Sequence, residues 1–317
     1  MNTIDGPAIQ NLCDYDFGDQ AGCLGGVPNA FMEDVNEGNT HFLKTVGKPD
    51  LKSAKDQEYM TLFIDNIRLY KRDLTGLKPE DKENFSSLIS KGTLLEKIGY
   101  WKMNFIIFTN LEDTPIDDTI FDTIPDNVLC ISAINAASWG GKVIPAPYGL
   151  QRQMHPGDNR TQIIEEIIED EDIEPSNLLY INHSTYTNPK ERVGINEIFD
   201  GKYWALVDRE RVGYDEFLER IRSHKFMVCP IGNALDCHRN WEVLFLRRVP
   251  VMKRHPYLEE LYRNYPVLFV DEYEDVTEQL LVENEHLFQK AKIFDFIELS
   301  LPYFYDNIVQ QYAGVNE

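Results

Sequence analysis

Basic residues are in short supply. The 317-residue chain has 31 lysines and arginines against 53 aspartates and glutamates, a formal charge of −22. A chain this acidic repels nucleic acid and anionic membrane surfaces as a whole, so neither is an expected partner. A local basic pocket for a small anion remains compatible with that charge. Cysteine is scarce too. Cys13, Cys23, Cys130, Cys229 and Cys237 are scattered, odd in number and free of any CxxC pair. That argues against a disulfide framework and a structural zinc site, and for reduced thiols in the cytoplasm. No stretch reaches the roughly 20 apolar residues of a membrane span. The amino terminus, MNTIDGPAIQNLCDYDFGD, lacks the basic start and apolar core of a signal peptide. A soluble, cytoplasmic protein is expected. No GxGxxG follows an apolar run, which disfavours a dinucleotide-dependent dehydrogenase. There is no internal repeat and no low-complexity segment.

What is present is an alternation of apolar runs and amphipathic stretches over a chain that is 43% apolar. Phe63, Ile67 and Tyr70 recur at helical spacing and predict a helix over 57–71. Leu88, Leu94 and Leu95 anchor a helical region opened by Pro79. Strands are predicted at 104–108, 127–131 and 142–145. In the second half they are predicted at 178–181, 203–207, 226–231, 249–252 and 267–270. Helices are expected from Pro189 to Phe199, over 214–223, from Asp236 to about Arg248, and through Leu287 from a capping box of Asp275 and Glu278. The tail, 294–313, is amphipathic. This order implies an α/β fold with parallel sheets, the second of them doubly wound. Residues 1–55 are the least legible. Asp14-Tyr15-Asp16 matches a metal-binding DxD pattern, but no apolar strand precedes it, and Asp16-Phe17-Gly18 lacks the rest of a kinase motif set. The acid run Glu169-Asp170-Glu171-Asp172 reads as a solvated surface.

The chemistry concentrates in KFMVCPIGNALDCHRNWEVLFLRRVPVMK, residues 225–253. An apolar strand, a Gly232-Asn233-Ala234 turn, a helix with Asp236 at its N-cap and a second strand make a βαβ unit. His238, Arg239 and Glu242 then share one helix face. His238 and Glu242 are separated by about 6 Å of helix rise, a span that suits a diphosphate and the ribose of the same nucleotide. The helix terminus and Arg239 suit phosphate, and Glu242 suits ribose hydroxyls. A second arrangement is equally allowed by the spacing: Arg239 pairs Glu242 in a salt-bridged helix start that binds nothing.

PIGNALDCHRNWEVLFLRRVPVM resembles the nucleotide-sugar-binding segment of exostosin-like glycosyltransferases. Pro230, Gly232, Asn233, Asp236, His238, Arg239, Glu242, Pro250 and Val251 match that pattern, while Ala234 replaces a glycine and Arg247-Arg248 departs from the usual turn. Leu179-Tyr180-Ile181-Asn182 with Thr187-Asn188-Pro189-Lys190-Glu191-Arg192 is similar to a further segment of compact viral and bacterial relatives. Phe108 to Asp113 and Lys142 to Leu150 resemble the loop and end of the first half.

The resemblance implies a GT-B architecture, two Rossmann-like domains with parallel sheets facing across a cleft. The acceptor-side domain would span 1–155, with a C-terminal helix of about 297–317 packing back onto it, and the donor-binding domain 175–296. It implies an inverting transferase moving a sugar from a nucleotide sugar, a UDP-sugar by the family's habit, to a glycan hydroxyl. No cofactor or metal is required. Arg192, Gly232, Asn233, Asp236, His238, Arg239 and Glu242 would bind the donor. The general base would come from the first half, with Asp113 the first candidate and Glu112, Glu33 and Asp34 as alternates. Lys142 and Asn135 are weaker acceptor-side candidates, and His183 and His155 are expected to be ordinary loop histidines. The alternative is a non-catalytic module of the same fold that binds nucleotide sugar or glycan.

Overall fold

The computed structural model describes residues 15–16, 59–64, 69–70, 93–99, 104–109, 115–150, 163–164, 166–167, 173–294 and 301–313. They fall into two compact units, one within Pro147–Tyr303 and one within Gly6–Ala146 and Phe304–Glu317. Each is built on a five-stranded parallel sheet.

The first sheet contains β1 (Tyr15–Asp16), β2 (Tyr59–Ile64), β3 (Asn104–Thr109), β4 (Val128–Ile134) and β5 (Val143–Ala146), in that spatial order and all parallel. Strands covered on both faces read as continuous apolar runs, and Phe105–Phe108 and Cys130–Ile131 are fully buried. The helix predicted over 57–71 is replaced by β2, with helical backbone described only at Leu69–Tyr70. The spacing of Phe63, Ile67 and Tyr70 was compatible with a helix. However, β2 lies inside the sheet, where Thr61, Leu62 and Ile64 are all buried and no alternation marks a strand. β1 is too short for any periodicity to reveal. Helix α1 (Leu94–Ile98) starts at a capping box in which Thr93 and Glu96 satisfy each other's backbone amides.

A sequential strand order differs from a Rossmann half, in which the chain reverses at a switch point. On the face bearing Thr61 and Phe108 the sheet meets the C-terminal helix (Leu301–Ala313). Tyr305 stacks on Phe108 with ring centroids 5.1 Å apart and donates its hydroxyl to Thr61 Oγ1 at 3.1 Å.

The second sheet contains β6 (Asn177–Asn182), β7 (Ala205–Asp208), β8 (His224–Val228), β9 (Val249–Lys253) and β10 (Leu268–Val270), in the spatial order β10-β9-β8-β6-β7. The chain steps outward from β6 to β7, returns past β6 to β8 and continues to β10. This is the doubly wound arrangement, and its switch point lies between the carboxyl ends of β6 and β8. Leu179, Ile181, Phe226, Val228, Val249 and Val251 form the core, with Phe199, Leu281 and Phe288 packed on it.

The helix expected from Pro189 to Phe199 is two: α2 (Pro189–Arg192) and α3 (Ile195–Phe199). Val193 is extended and Gly194 has φ +94°, a left-handed conformation that glycine adopts without steric cost. Helices α4 (Tyr214–Arg222), α5 (His238–Phe245) and α6 (Pro256–Leu261) follow, then α7 (Glu278–Glu283) and α8 (Glu285–Lys292). The expected capping box of Asp275 and Glu278 is not made. Asp275 instead accepts from Glu272 N, and Thr277 caps α7 by accepting from Leu280 N. The strand expected at 226–231 ends at Val228, because the chain leaves the sheet through Cys229 and Pro230, and proline has no amide to donate.

Candidate functional site

The loop after β8 is organised by Asp236, which is 1% exposed. It is not the N-cap of α5; Cys237 is. Asp236 Oδ2 accepts from Tyr148 N at 2.8 Å and from Trp241 Nε1 at 2.7 Å. Oδ1 accepts from Cys237 N at 2.8 Å, from Asn240 Nδ2 at 2.9 Å and from the Tyr262 hydroxyl. Burial raises this carboxyl above the ordinary aspartate range, and the donors from Tyr262, Tyr148, Trp241 and Asn240 pull it back. Five donors directed at two oxygens form the surroundings of an ionised carboxylate. The effect is to fix the first turn of α5 against Tyr148 and Tyr262.

His238, the first residue of α5, bonds Gly149 O through Nδ1 at 2.8 Å, and its ring meets Tyr148 edge-on. A carbonyl only accepts, so Nδ1 carries the proton and the tautomer is set.

Arg192, at the end of α2, is 5% exposed. Its Nε donates to Ile231 O at 2.9 Å, Nη2 to Pro230 O at 3.0 Å and Nη1 to Ser184 O at 3.2 Å. Carbonyls orient a guanidinium without cancelling its charge, and burial lowers its pKa below the ordinary arginine value. Gly232 makes this seat possible. A Cβ there would lie 3.0 Å from Cys237 Sγ and 3.1 Å from Arg192 Nη2. Asn188 Nδ2 holds the Gly232 carbonyl at 2.8 Å. Behind Arg192, His183 donates from Nε2 to the Arg192 carbonyl at 3.2 Å, while its buried Nδ1 has no partner among the described residues. Burial lowers the His183 pKa to about 4, so the ring is neutral at pH 7.

The salt-bridged alternative for Arg239 and Glu242 does not occur. Among the described residues the Arg239 side chain makes no hydrogen bond or ion pair; its Nε is buried without a partner, and its guanidinium lies 5.5 Å over the Phe217 ring. Glu242, 5% exposed, accepts from the Tyr214 hydroxyl at 2.9 Å.

These groups surround a cavity of about 280 Å³. Its charged lining is Arg192, Arg211, Arg239 and Glu242, joined by His238, and Asn182, Tyr214 and Phe217 contribute to its walls. The cavity lies where β6, β7 and β8 hand over to the following loops and helices, the edge at which open α/β sheets bind ligands. Three arginines against one glutamate make it locally basic on an acidic chain.

Of the residues singled out by sequence, Arg192, His238, Arg239 and Glu242 meet here, although Arg192 comes from a different strand–helix junction. Gly232, Asn233 and Asp236 do not line the cavity. Gly232 and Asp236 stand behind it, and Asn233 is exposed on the turn. Sequence reasoning missed Arg211, Tyr214, Phe217 and Asn182. The available signal was position, since Arg211 and Tyr214 follow β7 at the same sheet edge. Asp113, Glu112, Glu33, Asp34 and His155 lie outside the described residues. Lys142 Nζ donates to Pro125 O at 3.2 Å and Asp126 O at 2.9 Å, and Asn135 is buried at φ +53°.

Among the described residues no group of three metal-ligating side chains converges, and no helix is long and apolar enough to cross a membrane. No protein-family model matches the sequence, and no curated protein matches it. A solved alpha1,3-fucosyltransferase structure aligns with a TM-score of 0.31 and 8% identity, over 83% of this chain and 84% of that chain.

Proposed function

We propose that the cavity binds the diphosphate and ribose of a nucleotide sugar, and that the protein is an inverting glycosyltransferase with a GT-B arrangement of its two units. The observation that carries this reading is the meeting of Arg192, Arg211 and Arg239, none paired to a carboxylate among the described residues, around a site with a single glutamate. The resemblance to exostosin-like glycosyltransferases adds support. It rests on two separate segments, one ending at Arg192 and one running from Pro230 to Met252, and both supply lining residues. In this reading the guanidinium groups bind diphosphate oxygens and stabilise the charge that grows as the sugar leaves. Glu242 accepts from ribose hydroxyls, and UDP is the nucleotide expected. Asp236 and Gly232 act by holding His238 and Arg192 in place. Inversion needs a base that takes the proton of the acceptor hydroxyl. Asp113 is the first candidate, with Glu112, Glu33 and Asp34 behind it, and the transfer is expected to proceed without a metal.

Calorimetric titration with UDP tests the site. The unaltered chain should bind, and Arg239→Ala should weaken binding about tenfold or more, the scale of a lost charge-assisted hydrogen bond. Unchanged affinity in a folded Arg239→Ala variant overturns the assignment. Transfer is tested across a panel of UDP-sugars and glycan acceptors, where Asp113→Asn should abolish turnover and spare UDP binding. UDP binding with neither transfer nor donor hydrolysis would instead identify a non-catalytic binding module.

A further inference from the structure

Arg239 and Glu242 stand three residues apart on α5, a spacing at which arginine and glutamate ordinarily attract one another. Each is engaged elsewhere. Tyr214 donates to Glu242 Oε1 at 2.9 Å, and Phe217 lies beneath the Arg239 guanidinium at 5.5 Å. Tyr214 and Phe217 are themselves three residues apart, on α4, with their rings stacked at 6.3 Å. One turn of α4 therefore faces one turn of α5, residue for residue. An aromatic face attracts a guanidinium but takes none of its in-plane hydrogen bonds. The phenol supplies Glu242 with a donor that carries no charge.

We propose that Tyr214 and Phe217 are positioning residues that keep Glu242 and Arg239 from neutralising each other, so that the arginine reaches an incoming anion uncompensated. This rests on the proposed diphosphate reading of the cavity and specifies how such a site keeps its charge. Without the Tyr214 hydroxyl, the Glu242 carboxylate loses a hydrogen bond and has a cation one turn back on its own helix. The resulting ion pair must break before a phosphate can bind, so it competes with the ligand.

Calorimetry with inorganic pyrophosphate isolates this effect, because the probe has no ribose for Glu242 to hold. Tyr214→Phe should weaken pyrophosphate binding about fivefold, the scale of a competing ion pair. Adding Glu242→Gln removes the competitor, so Glu242→Gln should bind equally well with or without Tyr214→Phe. A general loosening of the cavity would not give that reversal. The proposal is overturned if Tyr214→Phe binds as tightly as the unaltered chain, or if its defect persists beside Glu242→Gln. Absence of pyrophosphate binding by the unaltered chain overturns the cavity reading as well. Binding that Arg239→Ala weakens and Tyr214→Phe leaves alone overturns only this proposal.

Discussion

Replacing Asp236 by asparagine keeps the shape and removes half of the acceptor capacity. The carboxylate serves two donors at Oδ2, Tyr148 N and Trp241 Nε1, and three at Oδ1, Cys237 N, Asn240 Nδ2 and the Tyr262 hydroxyl. An amide has one oxygen and one NH2. With the NH2 in the Oδ2 position, Tyr148 N and Trp241 Nε1 face another donor. With it in the Oδ1 position, Cys237 N and Asn240 Nδ2 do, while the Tyr262 hydroxyl can turn to accept. Either orientation strands two buried donors, at about 1–3 kcal/mol each. Removal of a buried charge offsets part of that loss, leaving a net destabilisation of about 3 kcal/mol. Melting should fall by roughly 6–12 °C. Trp241 stacks on Tyr262 with centroids 5.0 Å apart, so tryptophan emission during denaturant or thermal unfolding follows the affected region. A change smaller than about 0.5 kcal/mol, the scale of an ordinary surface substitution, would refute the role given to Asp236. Trp241→Phe supplies a second check. It removes one of the two Oδ2 donors, so its cost and that of Asp236→Asn should not add.

Gly232→Ala should displace the Arg192 guanidinium or Cys237, since its Cβ would meet them at 3.1 and 3.0 Å. Overpacking of this kind costs about 1–3 kcal/mol, and pyrophosphate affinity, read by calorimetry, should drop with it; unchanged affinity would show that Arg192 does not need this seat. His183 makes the fold sensitive to acid. Its pKa is lowered from 6.5 to about 4 by burial, so the neutral ring favours the folded state fully above the higher value. That contribution, roughly 3 kcal/mol, is lost as pH falls through the window between them. His183→Gln should flatten this part of the stability profile measured by denaturant titration from pH 7 to 4, and an unaltered acid limb would count against it.

Legibility in the sequence followed the range of the interactions involved. β3, β4, β8 and β9 were readable because strands buried on both faces are unbroken apolar runs. The same property hid β2, whose residues also fit a helical spacing. The break between α2 and α3 depends on one left-handed glycine, Gly194, and no local periodicity announces it. Asp236 has the residue type of an N-cap, but its partners include Tyr148, 88 positions earlier, and Tyr262, 26 later. Tyr214 is likewise 28 positions from Glu242. Pairings of that length are set by sheet order, which the chain does not spell out locally. Arg239 and Glu242 could be found from their spacing; whether they pair with each other depended on α4.

The packing of Tyr305 on β2 and β3 links residues 244 positions apart. During vectorial synthesis the strands Tyr59–Ile64 and Asn104–Thr109 leave the ribosome early, but the helix that packs on them is made only after every strand of both sheets. The unit within Pro147–Tyr303 has all of its strands available before then. Of the two sheets, the one synthesised first therefore waits longer for its packing partners, and a ribosome that stops short of Leu301 leaves Thr61 and Phe108, made early, without Tyr305.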